Sequence, residues 1–247
     1  MFKFDAFIYL NPIMNKKIFL FILSFISLHL NAQPLLGAWE KITKGDVDEE
    51  IKTIIIITEN YFSSTSYEVV SGQFLETKGG SWKLENEIML QEIEFDTTHP
   101  ENVGQKIRIK TTWKGDRVEF GDKIFQRIDD SLPGALHGAW LMYARVVDGQ
   151  TQKRETETPR KTMKLLSGTR FQWIAYNTET KQFMGTGGGT YTTKNGKYTE
   201  KIEFFSRDIS RVGLSLGFNY DLKDGKWHHT GFSSKGDPID EYWHKRK

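Results

Sequence analysis

Short runs of apolar, β-branched and aromatic residues alternate with polar turn signals along most of the chain. In the C-terminal half these runs predict strands near 139–147, 161–166, 170–177, 183–193, 198–206, 213–222, 226–232 and 239–244. Ser167-Gly168, Asn195-Gly196 and Asp224-Gly225 separate some of them. Asn-Gly and Asp-Gly suit two-residue hairpins because both residues tolerate positive φ. The N-terminal half breaks up in the same way, and no convincing amphipathic helix interrupts either half.

The two halves are copies. Leu35-Leu36-Gly37-Ala38-Trp39 recurs as Leu136-His137-Gly138-Ala139-Trp140. From residue 52 to 114 the copies align without a gap at an offset of 109. Matched pairs include Phe62/Phe171, Tyr67/Tyr176, Phe74/Phe183, Thr77/Thr186, Gly79/Gly188, Gly80/Gly189, Glu94/Glu203 and Phe95/Phe204. Before that block the offset is 101, so the second copy carries eight extra residues within 147–160. That polar, charged stretch is expected to be an exposed loop.

Eight sequential strands with short turns predict an antiparallel up-and-down meander, which removes its edges by closing. The expected fold class is all-β: two tandem eight-stranded barrels, with residues 33–131 in the first and 132–247 in the second. Two flat sandwiches are the alternative. An eight-stranded barrel either fills with side chains or holds one small ligand.

Gly37-Ala38-Trp39 and Gly138-Ala139-Trp140, each about 90–105 residues before an aromatic-plus-basic segment, resemble the calycin superfamily: lipocalins and the shorter lipocalin-like domains of secreted bacterial proteins. The resemblance implies that each Trp packs at the closed end of a barrel against a basic residue of the last strand. The candidates are Arg127 for Trp39, and Arg246 or Lys245 for Trp140. Gly37, Trp39, Arg127, Gly138, Trp140 and Arg246 are therefore the expected framework. Each copy is shorter than a typical lipocalin and lacks its C-terminal helix. Avidin-like barrels share the short meander, but their biotin-contact pattern is not recognisable here.

Residues 1–32 read as a secretory leader. Met14-Asn15-Lys16-Lys17 is basic, residues 18–30 are mostly apolar, and Leu30-Asn31-Ala32 offers a cleavage site, with Met14 as the expected start. Thirteen residues are short of the roughly 20 a spanning helix needs. The expected location is periplasmic or extracellular, and an integral membrane protein is not expected. The chain has no cysteine, which excludes disulfides and thiol chemistry. The net charge of +2 hides an asymmetry. Residues 35–131 carry 12 Lys+Arg against 19 Asp+Glu, and residues 132–247 carry 19 against 12. Opposite charge favours docking of the halves or binding of a charged partner. Nucleic acid is not expected, because the longest basic run is Lys245-Arg246-Lys247.

No catalytic signature stands out. Gly185-x-Gly187-Gly188-Gly189 precedes a strand composition, not the helix a phosphate cradle needs, and reads as a barrel-corner bulge. His228 and His229 point to opposite strand faces. His229 shares the face of Trp227 and is the residue a haem-binding calycin would use; no other cofactor or metal is expected. Glu203 needs a cationic partner if it points inward, and Arg170 is the candidate. The other reading is a solvent-facing residue kept by descent. Phe171 and Trp173 share one strand face, expected to be inward; Arg170, Gln172, Ile174 and Tyr176 share the other.

The second copy is the more aromatic, so its expected ligand-binding residues are Arg170, Trp173, Tyr191, Glu203, Phe218, Tyr220, Trp227 and His229. A filled aromatic core would look the same at this level. The function expected from these features is secreted binding of a small hydrophobic or amphipathic molecule in the C-terminal barrel. The alternatives are an envelope protein-interaction or structural module with filled barrels, and an acid–base enzyme using Glu203 or His229.

Overall fold

The computed structural model describes residues 35–247 except Val47 and Pro133. The expected leader lies outside the described residues. β1 (Gly37–Lys44), β2 (Glu50–Ile57), β3 (Tyr61–Glu68), β4 (Phe74–Glu85), β5 (Ile88–Asp96), β6 (Lys106–Lys114), β7 (Arg117–Phe120) and β8 (Lys123–Asp129) pair antiparallel in sequence order. β8 closes the barrel on β1, with Trp39 opposite Arg127. The second barrel comprises β9 (Gly138–Val147), β10 (Gln150–Lys153), β11 (Arg160–Leu166), β12 (Arg170–Asn177), β13 (Gln182–Lys194), β14 (Lys197–Phe205), β15 (Ser215–Lys223), β16 (Lys226–Phe232) and β17 (Pro238–Lys245). β17 closes it on β9, with Lys245 opposite Trp140. The chain is thus two tandem closed antiparallel barrels, packed as one compact unit. Among the described residues no helix is long and apolar enough to cross a membrane.

The eight extra residues of the second copy are not a plain loop. Asp148 and Gly149 take positive φ and turn the chain into a hairpin, and β10 pairs with the upper half of β9 (Lys153 opposite Ala144). All four β10 residues are exposed. A strand with neither face buried has no hydrophobic alternation, so its pattern reads as loop.

The barrel ends are closed as the repeated motif requires. Trp39 Nε1 donates to Leu35 O at 2.9 Å, and Trp140 Nε1 to Leu136 O at 2.8 Å. Arg127 stacks its guanidinium 4.0 Å from the Trp39 ring and donates to Leu36 O. At Trp140 the cation is Lys245, 5.7 Å from the ring centroid, and not Arg246. Successive strand residues point to opposite faces, so Lys245 takes the lumen side and Arg246 is turned to the outer side. The Gly-Gly steps are bulges: register shifts fall between Gly79 and Gly80 and between Gly188 and Gly189. A Cβ on Gly80 or Gly189 would lie 2.0 Å from a carbonyl oxygen of the adjacent strand.

The barrels dock through the outer faces of β2–β5 and β11–β14, and the contacts are reciprocal. Phe74 stacks on its own counterpart Phe183, centroids 5.9 Å apart and planes 11° apart. Tyr67 packs on Phe204 at 5.0 Å, and Tyr176 on Phe95 at 5.0 Å. Tyr67 donates to Glu203 Oε2 at 2.6 Å, and Tyr176 donates to Glu94 Oε2. Arg246 makes a bidentate pair with Glu94 (2.7 and 2.8 Å) and lies 4.1 Å from the Tyr61 ring. Arg170 pairs with Glu203. The exchange of Tyr and Glu across an approximate two-fold axis is the isologous pattern of a symmetric dimer, here built from one chain.

This packing explains the run Ile54-Ile55-Ile56-Ile57. A half-buried strand would alternate, but β2 is covered on both sides. Ile55 faces the lumen, while Ile54 and Ile56 enter an apolar cluster with Met163, Leu165, Ile174 and Phe204. The barrel ends add hydrogen bonds. Asp129, the last residue of β8, accepts from Ser167 Oγ (2.8 Å), Gly168 N (3.0 Å) and Thr169 N (2.9 Å) in the β11–β12 turn. Tyr61 donates to Lys247 O at 2.9 Å.

Glu94→Gln removes the charge from a partly buried bidentate pair, and is expected to cost about 2 kcal/mol in urea unfolding. Glu203→Gln should cost a similar amount, whereas exposed Glu92→Gln should stay within about 0.5 kcal/mol of wild type. Equal stabilities for all three variants would remove the two glutamates from the interface energetics.

Candidate functional site

Inward positions of β11, β12 and β14–β17 converge on a cavity of about 390 Å³ in the second barrel. Cross-strand register sets its wall and the aromatic cluster beside it. Tyr198 lies opposite Phe218, Glu200 opposite Leu216, His229 opposite Glu241, and Trp227 opposite Trp243. Phe171, Trp173, Phe218 and Trp243 provide aromatic surface. Such walls with a few placed polar groups are typical of small-molecule sites of roughly 300–1,000 Å³.

The polar groups are unusual for a barrel core. Lys164 is 5% exposed, and its Nζ lies 2.9 Å from Glu200 Oε1. Tyr198 donates to the same oxygen at 2.7 Å. Burial, then the Glu200 charge, holds the Tyr198 hydroxyl well above its usual range, so it serves as a donor. The ammonium of Lys164 is boxed by Tyr198, Trp227, Trp243 and Phe218, with centroids 5.1–5.9 Å away. Burying an ion pair stabilises a fold little, because desolvation offsets the attraction. Its presence here makes the wall polar without giving it a net charge.

His229 is 1% exposed, with Phe218, Tyr198 and Trp227 packed around it at 4.3–5.7 Å. Its Nδ1 is 3.5 Å from Glu241 Oε2. Burial, then the Lys164 charge, lowers its pKa from 6.5 against the opposing pull of Glu241, so the ring is neutral at pH 7. Among the described residues, both ring nitrogens of His229 and the indole N–H groups of Trp227 and Trp243 are buried without a well-formed hydrogen bond, although His229 Nδ1 and the Trp243 indole lie close to the Glu241 carboxylate. Buried polar groups are normally paired; here His229 Nε2 and the Trp227 indole have no partner at all, and His229 Nδ1 and the Trp243 indole have only a weak one in Glu241. No group of three or more His, Asp or Glu among the described residues is arranged to hold a metal ion.

The structure separates the expected ligand-binding residues. Trp173, Phe218 and His229 stand on the cavity wall. Trp227 lies in the aromatic cluster beside it, and Tyr220 packs at that cluster's edge. Tyr191 is tied at the closed end by its bond to Ser167 O at 2.6 Å. Arg170 and Glu203 are corrected: they do pair, but on the outer face against Tyr67 of the first barrel. Arg170 shares a strand face with Gln172 and Tyr176, and that face is covered by the neighbouring barrel. Gln172 accordingly donates to Thr77 across the interface at 3.0 Å.

Lys164, Glu200, Glu241 and Trp243 were not among the expected residues. A signal for Lys164 exists: it interrupts the apolar run Met163-Lys164-Leu165-Leu166, where its counterpart in the first copy is Ile55. Glu200 likewise replaces Gln91.

The first barrel holds a larger cavity, about 750 Å³, whose apolar lining includes Ile55, Phe62, Met89 and Phe125. Gln91 Oε1 is buried there without a partner.

A histidine held neutral by burial opposes protonation of the folded state. Its contribution is fully present above the unfolded pKa of about 6.5, and is lost as pH falls below that value toward the lowered folded pKa. The wild type should therefore lose more stability between pH 7 and 5 in urea unfolding than His229→Gln does. Parallel pH profiles would show that His229 is not held neutral.

No curated protein matches the chain. A family model described as a domain of unknown function (DUF4488) matches residues 135–247, the stretch that carries β9 to β17.

Proposed function

We propose that the protein is a non-enzymatic, exported binder of a small amphipathic molecule, of the calycin (lipocalin-like) kind, with the ligand in the lumen of the second barrel. The observation that carries this reading is the aromatic cavity with poorly paired Trp243, Trp227 and His229 nitrogens beside it. A ligand bearing an ether, carbonyl or hydroxyl oxygen would accept from the indole N–H groups. Its apolar body would lie against Trp173, Phe171 and Phe218. Because Lys164 is neutralised by Glu200, and Glu241 and Arg207 on the same wall are opposite in sign, the site favours an uncharged head group.

The repeated Gly-x-Trp, the basic residue stacked on each Trp and the sequential closed meander support the calycin reading. A module with filled barrels would leave no space for a ligand, and each barrel here has a cavity open on one side. The acid–base enzyme reading loses Glu203, which faces the other barrel. The leader read at Met14 to Ala32 is part of the proposal and would carry the chain out of the cytoplasm.

Tryptophan fluorescence titration of the full chain with a neutral long-chain alcohol or monoacylglycerol tests the reading. Saturable quenching is expected. Trp243→Phe, which keeps the ring but removes the donor, should weaken binding about five- to ten-fold, the equivalent of one hydrogen bond. Absence of saturable binding, or unchanged affinity in both Trp243→Phe and Trp227→Phe, would overturn it.

A further inference from the structure

The first barrel puts its charges in an unexpected place. Residues 35–131 carry 12 Lys+Arg against 19 Asp+Glu, so its surface is acidic. Its cavity wall reverses that balance: Lys41, Lys78, Arg108, Lys110 and Lys123 line it, against Glu76 and Asp122. Three of the cations project inward by register. Lys41 follows Trp39 on the inner face of β1. Lys78 lies opposite Ser64, and Lys123 opposite Phe120. Among the described residues none of these three has a carboxylate within 4 Å. Glu76 is instead engaged by Ser66 and Thr98 hydroxyls at 3.2 and 3.0 Å.

The second barrel lacks this feature at every matching position. Lys41 aligns with Met142 and Lys78 with Gly187. Lys123 corresponds to Glu241, since Phe120 opposite Lys123 matches His229 opposite Glu241. The lysines are therefore not part of the shared barrel framework. Like charges drawn into one cavity repel one another and cost stability unless something compensates them.

From this arrangement we infer that the lumen of the first barrel is a second binding site, specific for an anionic amphipath. The lysines hold its head group, and the chain lies against Ile55, Phe62 and Met89. Thr53 lies directly opposite Lys41 and Ser64 opposite Lys78, so both hydroxyls stand beside the lysines. The cavity, about 750 Å³, is within the range of small-molecule sites. This inference is independent of the neutral ligand proposed for the second barrel, because the two lumens share no wall residue.

The test uses the full chain and two probes that differ only in head charge: cis-parinarate and its methyl ester. The acid should bind about ten-fold or more tighter than the ester, as a few partly screened ion pairs would supply. Its affinity should fall with added salt while that of the ester does not. The triple variant Lys41→Gln/Lys78→Gln/Lys123→Gln should remove the preference for the acid, and Lys83→Gln, an exposed lysine on neither cavity wall, should leave it intact. Equal affinity for acid and ester in the wild type, with no salt dependence, would overturn the inference without any variant. Loss of acid binding in Trp243→Phe but not in the lysine variant would place the acid in the second barrel, and would overturn it equally.

Discussion

The structure depends on one constraint: the strands that form half of each barrel wall must bury both faces. Their inner faces close a lumen, and their outer faces meet the other barrel. Tyr67 with Glu203 and Tyr176 with Glu94 fix that meeting in both directions, and Phe74 on Phe183 marks its centre. Buried hydroxyls and carboxylates are costly unless paired, so each barrel leaves a polar group that the other satisfies. The last strands reinforce the arrangement. Asp129 ends the first barrel in the β11–β12 turn of the second, while Arg246 and Lys247 reach back to Glu94 and Tyr61.

Because the docking faces are spoken for, chemistry is left to the lumens. There the copies diverge. Ile55, Gln91, Phe120 and Lys123 of the first barrel correspond to Lys164, Glu200, His229 and Glu241 of the second. The scaffold tolerates these exchanges because a barrel interior is held by the strand ladder around it, which does not depend on which side chains project inward. The second lumen becomes an aromatic box with neutralised charge, and the first a larger, cationic one.

Much of this fold was legible in the chain. Strand positions follow the apolar runs and turn dipeptides, and Gly-x-Trp marks both closed ends. The Gly-Gly steps read correctly as bulges. The inner face of β12 was identifiable from Phe62 and Phe171. What the pattern does not distinguish is an outer face packed on protein from one packed on water when that face carries Tyr, Glu and Arg. Glu94, Glu203, Tyr67 and Tyr176 are amphipathic enough for either. Their recurrence at a fixed offset was visible, but a residue repeated for the barrel and one repeated for the interface leave the same trace. The functional side chains were hidden for the opposite reason. Lys164, Glu200 and Glu241 differ between copies, and a charged residue in a strand ordinarily faces solvent, so only the closed sheet reveals that they point inward. Arg246 beside Lys245 illustrates the same limit, since one residue of register decides which of them stacks on Trp140.

The near two-fold axis through Phe74 and Phe183 has a consequence for how such a molecule acquires specificity. In a dimer of identical subunits every change in one interior is made in both, and a substitution that suits one cargo is imposed twice. Joining the subunits in one chain keeps the symmetric contact but releases the interiors from each other. Each can then be altered singly, while the shared contact continues to hold the pair together.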